Sequence, residues 1–483
     1  MEHILLSPDS NKHSTLFPTH DKVLLYHNID HVICVERDLQ LKAAKHYDQR
    51  GGHSPTFAGS HGMYFPYHLS DTIKRQINYL SSSTIFDRKI SIVTPDILDQ
   101  WENSLVIPYL RSFQVEKELA TNNFDFWGIQ PQITYLLKDK AQAKKILASH
   151  QIPTPEFRIC KINNLIPTAL SFAREIEKIY VENDVSQYPI GLFIKQASSD
   201  GGYGSYVIKP ATANTYICLP NGKGELAQRV LSKQIALEKA KQHLHNTYNP
   251  QYGDSIVIER LVDIIDTPSI QFAIMEGEVQ FICLSDQIIN QGGTACVGTR
   301  SYHLRKIQHQ YTIESYIDTL QEWFKIILNA ACNKAKIKLK TITGVACLDL
   351  AIPGLIEQKI WQRRGYKIPP PLIIEINPRI TNTTDALMTI ARIQKQEISI
   401  PVLQDIQKNG FLAIDEIPLN THKSETEVRE QILRLDEEMY CHYNTRVILR
   451  MYDNPMGIIF AGSYVQKVAK IVMEKLKSGE TEK

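Results

Sequence analysis

The sequence predicts a mixed α/β and α+β chain built from several packed units, and three observations lead there. At 483 residues the chain exceeds what one small core organises. Its composition, 43% apolar and 22% charged, is that of a globular protein. Apolar runs of strand length alternate with segments of helical spacing, and two downstream runs are interrupted by acids.

Residues 1–130 read as a separate α/β unit. Residues 23–26, 31–36 and 90–94 have strand character, the last closed by Pro95. Residues 70–80 read as a helix capped by Ser70 or Asp71, with Ile73, Ile77 and Leu80 near helical spacing. The Gly-rich stretches at 51–55 and 59–62 read as loops. Residues 139–149 form a helix, which Pro153 and Pro155 end. Residues 225–244 read as a long charged helix with a solvated face. Residues 272–275 and 279–284 alternate around Glu276-Gly277-Glu278, a hairpin turn. Residues 313–331 read as an amphipathic helix under a sheet. Thr381 to Asp385 reads as a capped helix start, whose N–H groups serve either as an anion site or simply as cap partners. Residues 405–483 read as a small α/β addition, with strands at 445–451 and 457–461 and a closing helix at 464–476.

The formal net charge of +2 argues against a general nucleic-acid binder. The eight cysteines, Cys34, Cys160, Cys218, Cys283, Cys296, Cys332, Cys347 and Cys441, form no Cys-x-x-Cys pair. A zinc or redox motif is therefore not indicated, and a reducing compartment is the default. The N-terminus is too briefly apolar for a signal peptide, and no run reaches membrane-spanning length. A soluble cytoplasmic protein is expected, with no membrane partner.

The chemistry concentrates in two places. Lys195 ends a short apolar run and opens a loop, Ser198-Ser199-Asp200-Gly201-Gly202-Tyr203-Gly204. Glycines let such a loop bring backbone N–H groups to an anion, and the lysine adds a point charge for phosphate. An ordinary hairpin with a snorkelling lysine is the alternative. Further on, Asp349 interrupts one apolar strand, and Glu375 and Asn377 share a face of another. Three oxygen-bearing side chains on adjacent strands suit Mg²⁺, with Mn²⁺ as a substitute. The alternative is that each acid meets a basic side chain or faces solvent. The polar loop at 290–300 ends in Arg300, whose fork matches a substrate carboxylate; a plain surface connection explains it equally well.

In this order the motifs resemble the ATP-grasp superfamily over roughly residues 135–400. The Lys138-Asp139-Lys140 segment and the Ile152-Pro153-Thr154-Pro155 turn are similar to the family's opening helix and turn. The resemblance implies an ATP-grasp fold with an N-terminal Rossmann-like α/β domain and a small C-terminal α/β addition. The implied divisions are 1–130, 131–258 (opening helix and lid), 259–404 (catalytic subdomain) and 405–483. It implies that Lys140 and Lys195 contact the nucleotide phosphates, under a loop of Ser198, Ser199, Gly201, Gly202, Tyr203 and Gly204. It implies that Glu259 accepts from the adenine amino group, that backbone at Arg260 and Leu261 reads the ring, and that Asp266, Ser269 or Gln271 meets the ribose. Asp349, Glu375 and Asn377 fall on the metal positions, and Arg379, helped by Arg300 and Lys195, stands at the reacting acyl phosphate.

Two features depart from the family pattern. His150 stands where many members carry Gly. The long gap between Asp349 and Glu375 reads as an inserted hairpin loop. The implied activity is ADP-forming ligation of a small carboxylate to an amine, with ATP and Mg²⁺. Transfer of phosphate to a small molecule without ligation is the second possibility, and a non-catalytic ATP-binding protein the third. The flanking units look similar to those of ligases that join amino acids or peptides.

Overall fold

The computed structural model describes residues 15–18, 20–26, 28, 62–66, 71, 74–75, 77–78, 90–120, 122–199, 204–212, 215–221, 227–248, 253–289, 296–304, 313–417, 424–451 and 456–478. Three sheets organise them. The first is a parallel sheet of β1 (Val23–Tyr26), β2 (Gly62–Tyr64), β3 (Ser91–Val93), β4 (Leu105–Pro108) and β5 (Asp125–Phe126), followed in space by helix α1 (Phe113–Glu118). Its order is β3-β2-β1-β4-β5, so the winding reverses between β1 and β4. Alternation along the strands serves two cores. Leu24, Tyr26 and Val106 pack with Val93 and Val115 on one face. Leu25 and Ile107 pack on the other face with Leu387 and Phe411, residues of the third sheet and its helix. This unit thus shares a core with the chain far downstream. The strand expected at 31–36 lies outside the described residues, whereas Asp71, Lys74, Arg75, Ile77 and Asn78 are helical as expected.

Helices α2 (Pro131–Lys138) and α3 (Lys140–Ser149) lead into the second sheet. Asp139 caps α3 by accepting from Gln142 N at 2.8 Å. The second sheet is antiparallel, with order β10-β9-β8-β7-β11-β6. Its strands are β6 (Phe157–Lys161), β7 (Leu192–Gln196), β8 (Ser205–Thr212), β9 (Thr215–Asn221), β10 (Gln228–Val230) and β11 (Ser255–Arg260). Helices α4 (Leu165–Glu182) and α5 (Lys233–Thr247) cover one face through Phe172, Ile176, Leu237 and Leu244. The helix expected at 225–244 therefore begins later, after a strand; Ser232 caps it.

The third sheet has nine strands: β12 (Ile264–Asp266), β13 (Pro268–Met275), β14 (Glu278–Ile289), β15 (Cys296–Ser301), β16 (Gly344–Pro353), β17 (Leu372–Asn377), β18 (Phe411–Ile417), β19 (Thr445–Met451) and β20 (Met456–Gly462). The expected hairpin joins β13 to β14, with Glu276 and Gly277 both at positive φ, 51° and 82°. Helix α6 (Ile317–Ala335) packs on one face, stacking Phe324 on Phe272.

One expectation is corrected. The segment between Asp349 and Glu375 is not a hairpin loop: it holds helix α7 (Leu355–Arg363), and Ile360 on that helix joins the core of the second sheet. In the C-terminal addition β18 pairs with β15, β20 with β18 and β19 with β20, so its strands extend the third sheet. Helices α8 (Asn382–Ile393), α9 (Ile400–Asn409), α10 (Glu425–Tyr443) and α11 (Val465–Ser478) complete the chain. Thr381 and Thr384 form a reciprocal capping box at the start of α8. Among the described residues, no helix is long and apolar enough to cross a membrane.

Candidate active site

Strand alternation places the side of the site that the second sheet contributes. Across the β7–β11 ladder Lys195 faces Val257 and Phe193 faces Glu259, so all four side chains share one face. Helix α3 lies against that face, where Ala141 packs with Ala197 and Val257. Lys195 Nζ is 2.8 Å from Glu259 Oε2, and Lys144 Nζ is 2.8 Å from Glu259 Oε1. All three residues are buried. Burial alone raises a carboxyl's pKa, but the two ammonium groups outweigh it here and hold Glu259 at about 2. Burial pushes Lys144 down, against the pull of Glu259. Lys144 also donates to Thr154 Oγ1 and, at 3.4 Å, to the Ile373 carbonyl on β17.

Lys140 lies one turn before Lys144 and reaches elsewhere. Its Nζ is 2.9 Å from Glu375 Oε1 and also donates to the Ser199 carbonyl. Its backbone N–H donates to Ala197 O at 2.8 Å. One ammonium therefore touches both the start of the Gly/Ser loop and an acid of the third sheet. Of that loop, Ser198, Ser199 and Gly204 are described; Gly201, Gly202 and Tyr203 lie outside the described residues. Gly204 has φ +67°, and a Cβ there would come within 2.4 Å of Gln196 Oε1, so the loop exit requires glycine.

On the third sheet, register brings the acids together. Asp349 is the cross-strand partner of both Ser269 and Glu375. Asp349 Oδ1 accepts from Ser269 Oγ and, at 2.8 Å, from Gln287 Nε2; its Oδ2 accepts from Asn377 Nδ2 at 2.8 Å. Burial, and then repulsion from Glu375, raise Asp349 to about 6. Asn377 Oδ1 accepts from Arg379 Nη2 at 3.1 Å, and Arg379 Nη1 donates to the Tyr109 hydroxyl at 2.9 Å. The guanidinium carbon of Arg379 lies 5.3 Å from the Tyr109 ring centroid. Tyr109 follows β4 directly, at the reversal point of the N-terminal sheet.

Among the described residues, no group of three His, Cys, Asp or Glu side chains could hold a metal. The donors here are two carboxylates and an amide. Two half-buried carboxylates opposed across a ladder repel each other, and a divalent cation relieves that repulsion. The set fits Mg²⁺, which completes its shell with waters and phosphate oxygens.

The geometry adds partners to several of the expected site residues. Each Glu259 oxygen lies 2.8 Å from a lysine ammonium, Oε1 from Lys144 and Oε2 from Lys195. The Arg260 backbone N–H donates to Glu156 O and that of Leu261 to Gly191 O, each at 2.9 Å, so neither N–H is open to read a ring. The Arg260 side chain is structural: it forms a bidentate pair with Glu357 of α7 and a 2.7 Å bond to Glu156. Ser269 is turned to Asp349 and also accepts from Gln287, so its hydroxyl belongs to the acidic cluster rather than to a ribose. Asp266 accepts from Tyr302, and Gln271 Oε1 accepts from Thr381.

Arg300 lies on the wrong face. It pairs with Asp286 at 2.7 Å, its partner across β14–β15. The neighbouring Thr299 and Gln287 face the site, through Thr383 and Asp349. Alternation sends Arg300 to the opposite side. Sequence reasoning assigned no role to Lys144, Gln287 or Tyr109. Lys144 was findable, being four residues after Lys140 on one helix. Tyr109 was not, because its contact is tertiary.

No protein-family model matches the chain, and no curated protein does. Solved structures do. N5-carboxyaminoimidazole synthase from Aspergillus clavatus, in complex with ADP and 5-aminoimidazole ribonucleotide, is similar at TM-score 0.51 and 11% identity, over 94% of this chain and 99% of that one. Biotin carboxylase from Campylobacter jejuni is similar at TM-score 0.53 and 13% identity, over 93% and 90%. Phosphoribosylamine–glycine ligase from Thermotoga maritima is similar at TM-score 0.50 and 10% identity, over 95% and 96%. These are ATP-grasp structures, and this chain has the ATP-grasp fold.

Proposed function

We propose that this protein is an ATP- and Mg²⁺-dependent, ADP-forming carboxylate–amine ligase. The observation that carries the reading is the position of Lys140, whose ammonium joins Glu375 to the Ser199 carbonyl. A triphosphate lying between loop and acids meets Lys140 and Lys195 as fixed positive charge. Asp349, Glu375 and Asn377 are the residues that would hold Mg²⁺, which supplies positive charge against the phosphate oxygens.

The chain's own groups then divide the work. Lys195 orients the phosphates from the lid strand, and Lys140 does so from α3. The substrate carboxylate attacks the γ-phosphorus, giving an acyl phosphate and ADP. The amine adds to the acyl carbon, and phosphate leaves. Arg379, held by Asn377 and Tyr109, stabilises the oxyanion of that addition. Amino acids or peptides are the substrate class favoured, because the units flanking the ATP-grasp part look similar to those of ligases that join amino acids or peptides. The test is ADP release measured over paired acids and amines, with mass spectrometry of the products. Release that requires both partners, with an amide product, supports ligation. A phosphorylated product from one acceptor alone replaces this reading with a kinase.

A further inference from the structure

Lys144 is absent from the motif assignment, yet it is the most enclosed lysine of the site. It shares one carboxylate with Lys195: Glu259 gives Oε1 to Lys144 and Oε2 to Lys195, each at 2.8 Å. The two lysines differ in how they are held. Lys144 stands on α3 and is tied also to Thr154 Oγ1 and to the Ile373 carbonyl. Thr154 itself donates to that carbonyl at 2.8 Å, and Ile373 N donates to Pro153 O at 2.9 Å. Lys144 is thereby fastened to the third sheet. Lys195 stands at the end of β7, over the Phe193 ring at 4.2 Å, and among the described residues its ion-pair partner is Glu259. Lys195 also leads directly into the Gly/Ser loop.

We propose that Lys144 is a positioning residue: the fixed counter-ion of Glu259, which leaves Lys195 free to exchange its carboxylate partner for the triphosphate. The inference rests on the ligase reading only in taking ATP as the anion. A buried carboxylate that loses its sole cation is costly and takes up a proton instead. With Lys144 in place, Glu259 stays ionised after Lys195 has turned away. The charged groups facing this pair are Lys140 and Lys144 from α3, Lys195 from β7 and Glu375 from β17. The arrangement also explains why one glutamate receives two lysines on a face where one would neutralise it.

The test is proton uptake on MgATP binding, by calorimetry at pH 8 in buffers of differing ionisation enthalpy. Wild type and Lys144→Met are compared. Lys144→Met is expected to take up about one more proton per ATP than wild type, and to bind ATP at least about tenfold more weakly. Equal uptake in the two proteins overturns the inference while leaving the ligase reading intact. Failure of wild type to bind MgATP overturns the ligase reading and, with it, this proposal. Should Lys144→Met not fold, Lys195→Met represents the state after exchange. The difference between its melting temperature and that of the wild type is then expected to stay constant between pH 6 and 8, because Lys144 alone keeps Glu259 charged. A variant that gains on the wild type as the pH falls toward 6 contradicts the proposal.

Discussion

Removing the Arg260 guanidinium should unfasten the lid from the catalytic sheet at a calculable cost. Arg260 is 1% exposed and Glu357 fully enclosed. Two bonds run between them, one of them 2.8 Å from Nη2 to Oε2, and Nε donates to Glu156 at 2.7 Å. Burial lowers the pKa of Arg260, but its two glutamates more than restore it. In Arg260→Met, Glu357 keeps, among the described residues, a long backbone contact from Asp263 N at 3.4 Å. Glu156 fares better, since Arg364 still reaches it at 2.7 Å. One stranded buried carboxylate places the loss at about 3–5 kcal/mol. Arg260→Met/Glu357→Leu should recover most of this, because an apolar pair of similar size needs no counter-charge. The assay is urea denaturation followed by fluorescence, with limited proteolysis between residues 157 and 260 to report the lid. Glu259 adjoins Arg260 on β11, so the KM for ATP should rise in the single variant and return in the double. A loss below about 1 kcal/mol, or a double variant as unstable as the single, refutes the reasoning.

Three further outcomes are expected. Glu375→Gln should abolish ADP formation, by at least about a thousandfold, with the circular dichroism spectrum preserved and the Mg²⁺-dependent rise in melting temperature lost. Mg²⁺ stabilisation of the wild type, read by melting temperature, should fade as pH falls through about 6, because the raised Asp349 takes its proton there and the proton competes with the cation. Arg379→Met should lower kcat at least about a hundredfold while ATP affinity changes little, because Arg379 reaches Asn377 and Tyr109 rather than the two lysines; Arg300→Met, on the opposite sheet face, should leave kcat within about threefold.

What the sequence disclosed was local. Asp139-Lys140, the Gly/Ser loop and the acids at 349 and 375 are short motifs on elements whose periodicity is plain, and the structure gathers them at one place. The rest is hidden by local composition. The polar, Gly-rich stretch 290–300 reads as loop, which conceals the strand Cys296–Ser301 and with it the face that Arg300 takes. Gly365 and the Pro369–Pro371 run suggested a turn-rich insertion, masking the helical spacing of Ile356 and Ile360 just before them. The resemblance assigns Arg260 a role through its backbone, and nothing local announces that its side chain finds Glu357, ninety-seven residues away. The extension of the catalytic sheet by β18, β20 and β19, and the meeting of Tyr109 with Arg379, are pairings between distant segments. Single-sequence patterns carry no register for such pairings.

The convergence of the lid lysines and the sheet acids on one nucleotide is tested most directly by calorimetric titration with a non-hydrolysable ATP analogue, with and without Mg²⁺. Wild type should bind one equivalent in a Mg²⁺-dependent manner, and Lys195→Met and Glu375→Gln should each weaken it at least about tenfold. Binding that ignores Mg²⁺, or that survives both substitutions unchanged, would contradict the account.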